Sequence, residues 1–296
     1  MSFSRKRIDL TISLGTGNFG EAGQNTLTLT GLRVMCDIDE MGNESCAQAA
    51  VKIYGMTPDH MNALSALTNV AMMQRKNMIQ ISAGDDSGMA TIFQGQIMQG
   101  LIDMSAPPDA AVNLLAWTGG FEKYAAAAPR SYPGAASVAQ IMADLAAAMG
   151  YAFENNGVTA VLNTPAFPGT LWEQVRRCAD AAGINWTISN GTLAIWPRGG
   201  SRVTQGVPLI SKDTGMIGYP GYATAWMGAS VTTLFNPAIR IGGVVNVQSS
   251  LVTVANGYWT VRTVAHNLES ELPGGAWITR FEAMRADDTN QSVRDM

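Results

Sequence analysis

The sequence predicts a mainly β fold with a small α+β insertion, arranged as two β-barrel domains that flank a two-helix α+β unit. Short runs in which apolar and polar residues alternate occur at both ends of the chain, as in half-buried strands. The middle of the chain carries two amphipathic helix patterns with capping residues. The two strand-rich ends share a weak internal sequence similarity, which we call the internal echo.

These patterns divide the 296 residues into four segments. The run "AAAAPRSYPGAAS" near the start of the second segment is typical of a linker. The expected segments are an N-terminal β-barrel domain over 1–121, an α+β domain over 122–198, a C-terminal β-barrel domain over 199–286 and a polar tail over 287–296.

The first strand, Ile8 to Leu14, leads into a loop with the spacing Gly15-x-Gly17-x-x-Gly20. That spacing marks a dinucleotide site when a helix follows, because the helix N-terminus holds the pyrophosphate. Here "TLTLTGLRVMCDID" follows, with the alternation of a second strand. The loop is therefore predicted to be a hairpin connection without a nucleotide.

The rest of the first segment continues in strands. Thr57 and Pro58 begin one short helix, with Met61, Leu64 and Leu67 on its inner side. The predicted strands are "CAQAAVKIYGM", "NMIQISAG" before a D-D-S-G turn, and a hairpin formed by "TIFQGQIMQGLIDM" and "AAVNLLAW".

Each helix of the middle segment has a predicted capping box and a terminal glycine. The boxes pair Ser137 with Gln140 and Thr170 with Glu173. The expected inner faces are Val138, Ile141, Met142 and Leu145 before Gly150, and Leu171, Val175, Cys178 and Ala182 before Gly183, followed by a hairpin at Asn190-Gly191.

The last segment is predicted to be strands again: "IRIGGVVNVQS", "GYWTVRTVAHNLE" and "AWITRFEAM". In the last of these, Trp277, Thr279, Phe281 and Ala283 share one face. A shift of 166 residues places Phe93 on Trp259, Asp103 on Glu269, Pro107 on Pro273 and Ala110 on Ala276, which suggests two related domains.

Charge is scarce and unevenly distributed. Charged residues make up 14% of the chain, the net charge is −4, and no basic region indicates nucleic-acid binding. From Thr214 to Val261 the one charged residue in 48 is Arg240. This stretch is either the buried core of a β domain or a surface covered by other subunits. Val245 and Val247 are expected to point outward from it.

The chain shows no secretory signal and no run long enough to span a membrane. Its cysteines, Cys36, Cys46 and Cys178, are odd in number and scattered, so we expect them to be reduced and buried after folding inside a cell.

No residues form a recognisable catalytic, cofactor-binding or metal site. His60 and His266 lack partners at metal-ligand spacing, no G-x-S-x-G elbow occurs, and Asp85-Asp86 fits ordinary turn chemistry. The composition indicates a structural or assembly protein without a cofactor, and not an enzyme. Carboxylates that could supply a glycosidase pair are Glu44, Glu173, Glu269, Glu271 and Glu282.

The last segment resembles the final domain of baseplate hub proteins of tailed bacteriophages. The resemblance rests on the order of several short elements and extends to the "TLWEQV" helix and the "WTISNGTLAI" hairpin, and it is weakest before Ala47. The elements are "ISKDTG" from Ile210, "GYP" from Gly218, "LFNP" from Leu234, and the series Gly257-Tyr, His266-Asn-Leu and Gly275-x-Trp277-x-Thr279.

This resemblance implies a homotrimer in the virion tail, assembled in the host cytoplasm. Its partners would be copies of itself, tail tube proteins, a tail spike or tip protein and the tape measure protein, with no sequence-specific nucleic-acid binding. Two β-barrels in each of three copies would let a three-fold object meet a six-fold tube. The alternatives are another tube or tail-tip protein and, less favoured, a cell-wall hydrolase of the particle.

Overall fold

A computed structural model describes residues 5–19, 23–42, 45–65, 76–105, 108–203, 206–223 and 228–285. The expectations for Gly20, Glu44, Leu67, Pro107 and the polar tail lie outside these ranges. The fold is mainly β, with 48% strand, 15% helix and four α-helices in the described parts.

The chain divides into two compact units. Unit 1 comprises Met1–Asp39, Ala47–Phe121 and His266–Trp277, and unit 2 comprises Glu40–Cys46, Glu122–Ala265 and Ile278–Met296. The predicted boundaries of three separate domains stay a prediction.

The first strand group follows from the alternation of apolar residues. Ile8, Leu10 and Ile12 are buried while their neighbours face outward, as a pleated strand requires. Neighbouring strands run in the order β3-β4-β7-β6-β5-β1-β2. The elements are β1 (Arg7–Ser13), β2 (Thr26–Leu29), β3 (Val34–Met41), β4 (Gln48–Tyr54), α1 (Pro58–Leu64), β5 (Met78–Asp85), β6 (Gly88–Asp103) and β7 (Ala111–Trp117).

The sequence signals in this group are confirmed with one change. Thr57 caps α1 by accepting a hydrogen bond from the His60 amide at 3.4 Å, and Met61 and Leu64 are buried. The strand predicted after the glycine loop is divided into β2 and β3, because Gly31 takes a left-handed φ of 67° between them.

The middle of the chain is the predicted α+β region, and it belongs to unit 2 from Glu122 onward. The linker prediction is wrong, because two short strands form in that run and pair with strands further along the chain. The elements are α2 (Gly120–Tyr124), β8 (Arg130–Ser131), β9 (Ala135–Ser137), α3 (Val138–Met149), β10 (Ala152–Asn155), β11 (Val161–Asn163), β12 (Ala166–Phe167), α4 (Leu171–Ala182), β13 (Ile184–Ser189) and β14 (Thr192–Pro197).

Of the two predicted capping boxes, the one at the start of α4 is present and the one at the start of α3 is absent. The capping box of α4 is present, with the Glu173 amide donating to Thr170 Oγ1 at 3.2 Å and the Thr170 amide donating to Glu173 Oε2 at 3.3 Å. The box predicted for α3 is absent, since Ser137 ends β9 and makes no side-chain cap. The Val138 amide donates instead to the Ala160 carbonyl at 3.0 Å.

The helices end and pack largely as predicted. Gly150 and Gly183 close α3 and α4 in left-handed conformations, with φ of 75° and 63°. The buried face of α4 includes Trp172, which was not expected, and whose ring meets that of Trp186 edge to face at 5.0 Å. The hairpin turns on Asn190-Gly191, as predicted.

The last strand group lies in the order β16-β17-β20-β19-β18-β15. The strand predicted from Ile239 is shortened to β18, because Gly242 turns the chain with φ 76° and leaves no room for a Cβ beside Trp196. The elements are β15 (Leu209–Ile210), β16 (Gly221–Ala223), β17 (Gly228–Leu234), β18 (Val244–Val247), a 3₁₀ turn (Thr253–Ala255), β19 (Gly257–Ser270) and β20 (Trp277–Arg285).

The two strand groups share one strand order, as the internal echo predicts. The path β3-β4-β7-β6-β5-β1 of the first group is repeated by β16-β17-β20-β19-β18-β15 in the last. Phe93 lies opposite Ile81, and its echo Trp259 lies opposite Val245. One pairing differs, since β1 and β5 are antiparallel whereas β15 and β18 are parallel.

Neither path closes on its first strand in the described residues, so the two-barrel prediction is not confirmed.

A partly buried ion pair links the middle region to the start of the last segment within unit 2. The Arg202 side chain is 7% exposed and donates to both carboxylate oxygens of Glu154, at 3.1 and 2.8 Å. Asn156 adds a hydrogen bond to Glu154 at 2.8 Å. The hydrogen bonds from Arg202 lower the pKa of Glu154 against the opposing effect of burial.

We predict that Glu154→Gln lowers the free energy of unfolding by about 1–3 kcal/mol at neutral pH, because the buried Arg202 would lose the carboxylate to which it donates two hydrogen bonds. The folded pKa of Glu154 lies below its usual value, so this stabilisation is present above the unfolded pKa and is lost as the pH falls through the folded one. Urea unfolding at neutral and acid pH measures the difference.

The exposed Asp180→Asn in α4 is the control. A deficit of Glu154→Gln that is as large at acid pH as at neutral pH would contradict the ion-pair account.

Candidate interaction surface

Three of the carboxylates that could have formed a catalytic pair have structural partners. Glu173 caps α4, Glu269 accepts from the Ala276 amide at 3.1 Å, and Glu271 pairs with Arg5 at 2.8 Å. Glu282 lies in β20 opposite Ser230. In the described parts of the chain, no group of three His, Cys, Asp or Glu residues is placed to hold a metal ion.

The histidines and cysteines are placed as structural residues. His60 packs edge to face on Phe19, with 5.6 Å between ring centroids. Burial lowers the pKa of His266 to about 4, so its imidazole is neutral at physiological pH. Cys36, Cys46 and Cys178 are free and buried as predicted, and burial raises the pKa of Cys178 to about 12, far from that of a reactive thiolate.

In the described residues, no helix follows the glycine loop to hold a phosphate. The Gly15 amide donates to Asn77 Oδ1 at 3.2 Å, and the next element after the loop is β2. The Asp85 carboxylate likewise accepts from the Ser87 amide at 2.8 Å, as in an ordinary Asx turn. Both motifs serve as strand connections.

The charge-poor stretch contains both buried core and exposed apolar surface. Val231, Val245, Val247 and Val261 belong to the core of unit 2. The large apolar side chains of the same stretch that stay exposed in the described residues are Ile217, Tyr219, Tyr222, Leu234, Leu251, Val254 and Tyr258. Exposed apolar side chains grouped in a stretch without charge are typical of an interaction surface.

The expectation that Val245 and Val247 point outward is wrong. Their exposed fractions are 1% and 0%, whereas the alternate residues Val244 and Asn246 are partly exposed. The alternation in the sequence shows that two faces exist but does not say which one is buried.

A groove in unit 2 gathers part of this surface. Leu209, Asn246 and Tyr258 lie opposite one another across β15, β18 and β19, so they share one face. Beside them is a cavity of about 670 Å³. Its lining is Leu209, Ser211, Lys212, Asp213, Thr214, Met216, Gly218, Tyr219, Asn246, Gln248, Ser249, Ser250, Asn256 and Gly257.

The polar groups of this groove are largely satisfied within it. The Thr214 hydroxyl donates to the Leu209 carbonyl at 2.6 Å and accepts from the Ser211 amide at 2.8 Å. Lys212 and Asp213 pair at 2.8 Å on the exposed rim and cancel in charge. The lining offers one carboxylate and no histidine, which suits binding better than acid–base chemistry.

The single charge of the stretch acts on carboxylates of the same unit. Burial raises the pKa of Glu40 to about 7, while Arg202 and then Arg240 lower it. Arg240 also contributes to the lowered pKa of Glu154. The exposed guanidinium of Arg240 therefore contributes a small lowering of the pKa of both carboxyl groups.

Comparisons with known proteins give the family. The family model described as baseplate hub gp41 matches residues 8–272. The chain belongs to the baseplate hub gp41 family. No curated protein sequence matches it. In the described residues, no helix combines the length and the apolar character needed to cross a membrane.

Solved structures share the fold of this hub-family chain. A tail protein from Neisseria meningitidis MC58 superposes with a TM-score of 0.63 at 12% identity, over 95% of this chain and 99% of that one. The 43 kDa tail protein of prophage MuSo2 from Shewanella oneidensis gives 0.60 at 10% identity, over 95% and 98%.

An E. coli component of the type VI secretion system, described as structurally similar to the T4 tail proteins gp27 and gp5, gives a TM-score of 0.59 at 10% identity. The match covers 89% of this chain and 74% of that one.

We predict that Val247→Asp prevents unit 2 from folding, because it buries an unpaired charge in the core, whereas Asn246→Asp changes stability by less than about 1 kcal/mol. Circular dichroism and thermal unfolding of both variants measure this. Cooperative, native-like unfolding of Val247→Asp would contradict the assigned strand face.

Proposed function

We propose that this chain is a structural baseplate hub protein that forms a homotrimeric ring on the tail axis and adapts the six-fold tail tube to the three-fold spike or tip. The family match and the repeated strand order support this function. The repeated strand order is the observation on which the adaptor role depends.

The adaptor role follows from symmetry. A three-fold ring of chains that each carry two related strand groups presents six similar structures to one partner and three copies of every unrepeated feature to another. The strand groups are proposed to form β-barrel domains over 1–121 and 199–286, with 122–198 as a separate α+β domain and 287–296 as a tail.

The exposed apolar residues of unit 2 support a role in assembly, because contacts with other subunits would cover them. Tyr222 lies on β16 at one end of the strand path and is 70% exposed. An uncharged edge strand is open to pairing or packing with another chain. We assign this edge to contacts between copies of the chain.

The proposed partners are other copies of the chain, tail tube proteins, the spike or tip protein and the tape measure protein. The proposed location is the virion tail, after assembly in the host cytoplasm, with a structural and not an enzymatic role. Another tube or tail-tip protein is the second candidate. A cell-wall hydrolase is disfavoured because the unit 2 groove has no carboxylate pair in its lining.

Light scattering of the purified protein is expected to give three times the chain mass of 31.4 kDa. Tyr222→Asp should weaken the trimer at least about tenfold, since it places a charge in a covered apolar contact. The matched control is Val161→Asp, at an exposed position of the middle region that is 59% exposed, and it should leave the trimer intact.

A chain that stays monomeric at its highest soluble concentration, and is found away from the tail axis in the particle, would contradict the proposed function.

A further inference from the structure

The two strand groups are not joined by identical connections, and one equivalent pair of connections differs in both length and surface character. In the first group, β5 and β6 are joined by a tight turn that carries Asp85 and Asp86. In the last group, β18 and β19 are joined by residues 248–256, which we call the apolar loop. Each copy of the chain therefore carries the apolar loop once, although the strand order occurs twice.

The apolar loop displays aliphatic side chains to solvent. Leu251 is 71% exposed and Val254 is 76% exposed. No charged residue occurs from Ile241 to Val261, so no charge in that segment offsets this apolar surface. The core of unit 2 does not use these two side chains, and their exposure therefore needs another explanation.

The loop is held in one conformation by hydrogen bonds at its base. The Ser249 amide donates to Asn256 Oδ1 at 2.5 Å, and the Val252 amide donates to Ser249 Oγ at 3.1 Å. Arg285 donates to the carbonyls of Val254 and Asn256 at 3.3 and 3.2 Å. A preformed loop loses little conformational entropy when it docks.

The apolar loop also adjoins the unit 2 groove. Ser249, Ser250 and Asn256 belong to the loop and line the groove together with Leu209 and Tyr219. The exposed pair Leu251 and Val254 therefore belongs to a loop that borders a recess lined by both apolar and polar side chains. Loop and groove together form one surface with a projection and a cavity. The groove lining has no net charge and the residues of the loop are uncharged, with the Arg285 guanidinium at the base of the loop.

We propose that the apolar loop docks into an apolar pocket of the three-fold partner of the hub, the spike or tip protein. This proposal rests on the proposed function, because it requires three copies in the ring. A six-fold partner would meet both connections in turn, and a pocket that fits Leu251 and Val254 would also have to accept the carboxylates of Asp85 and Asp86. A three-fold partner meets the apolar loop alone.

A photo-cross-linking amino acid in place of Val254, in tails assembled from the full chain, tests this directly. The expected adduct joins the hub to a different protein present in three copies per hub. An adduct to the tube protein, an adduct to another hub copy, or no adduct would each overturn the proposal. The same amino acid in place of Ser87, on the equivalent turn, is the control and should not capture the three-copy protein.

The double variant Leu251→Ser with Val254→Ser gives a second test. The hub should still form trimers and join the tube, while retention of the three-copy protein by isolated tails should fall about 10- to 100-fold. Val203→Ser, at an 82% exposed position outside the loop, is the matched control. Unchanged retention in the double variant would overturn the proposal.

The copy number of the hub in the same particles distinguishes failure of the proposed hub function from failure of the proposed docking by the apolar loop. A copy number other than three contradicts the proposed function itself. Three copies with unchanged retention contradict only the role of the apolar loop.

Discussion

Main-chain pairing along two long hairpins is the constraint on which the rest of the structure depends. The strands β6 and β19 have 16 and 14 residues, and each pairs with the strand that follows it and with the one that precedes it. The pleat then decides which side chains enter each core, so Phe93 and Trp259 are both buried opposite aliphatic residues. Because the same pairing occurs twice, one chain carries two versions of one architecture.

Local chemistry made much of the fold predictable from the sequence. Thr57-Pro58, the Thr170 and Glu173 box and Asn190-Gly191 act within a few residues of chain, and the structure has each of them. Long-range pairing was harder to predict. Ser137 has the residue type of a helix cap, but it pairs with β11 as part of β9. The Val138 amide at the helix start donates to the Ala160 carbonyl and not to a capping side chain. The sequence of a short strand does not identify the strand with which it pairs.

The interaction surface was only partly predictable for the same reason. The absence of charge from Thr214 to Val261 pointed to it, but the face of β18 was assigned wrongly because alternation does not identify the buried side. No sequence pattern predicted the ion pair between Arg202 and Glu154, since it joins distant parts of the chain. The apolar loop was recognisable only after both strand groups had been compared.

The repeated strand order connects this fold to the proposed hub role. Features shared by both strand groups suit a partner of six-fold symmetry, whereas the middle region and the apolar loop occur once per chain and suit one of three-fold symmetry. Cryo-electron microscopy of the intact particle at the end of its tube tests this claim most directly. The account predicts three copies on the tail axis, with both strand groups of each in equivalent contact with a six-fold ring. Six copies, or contact through one strand group alone, would contradict it.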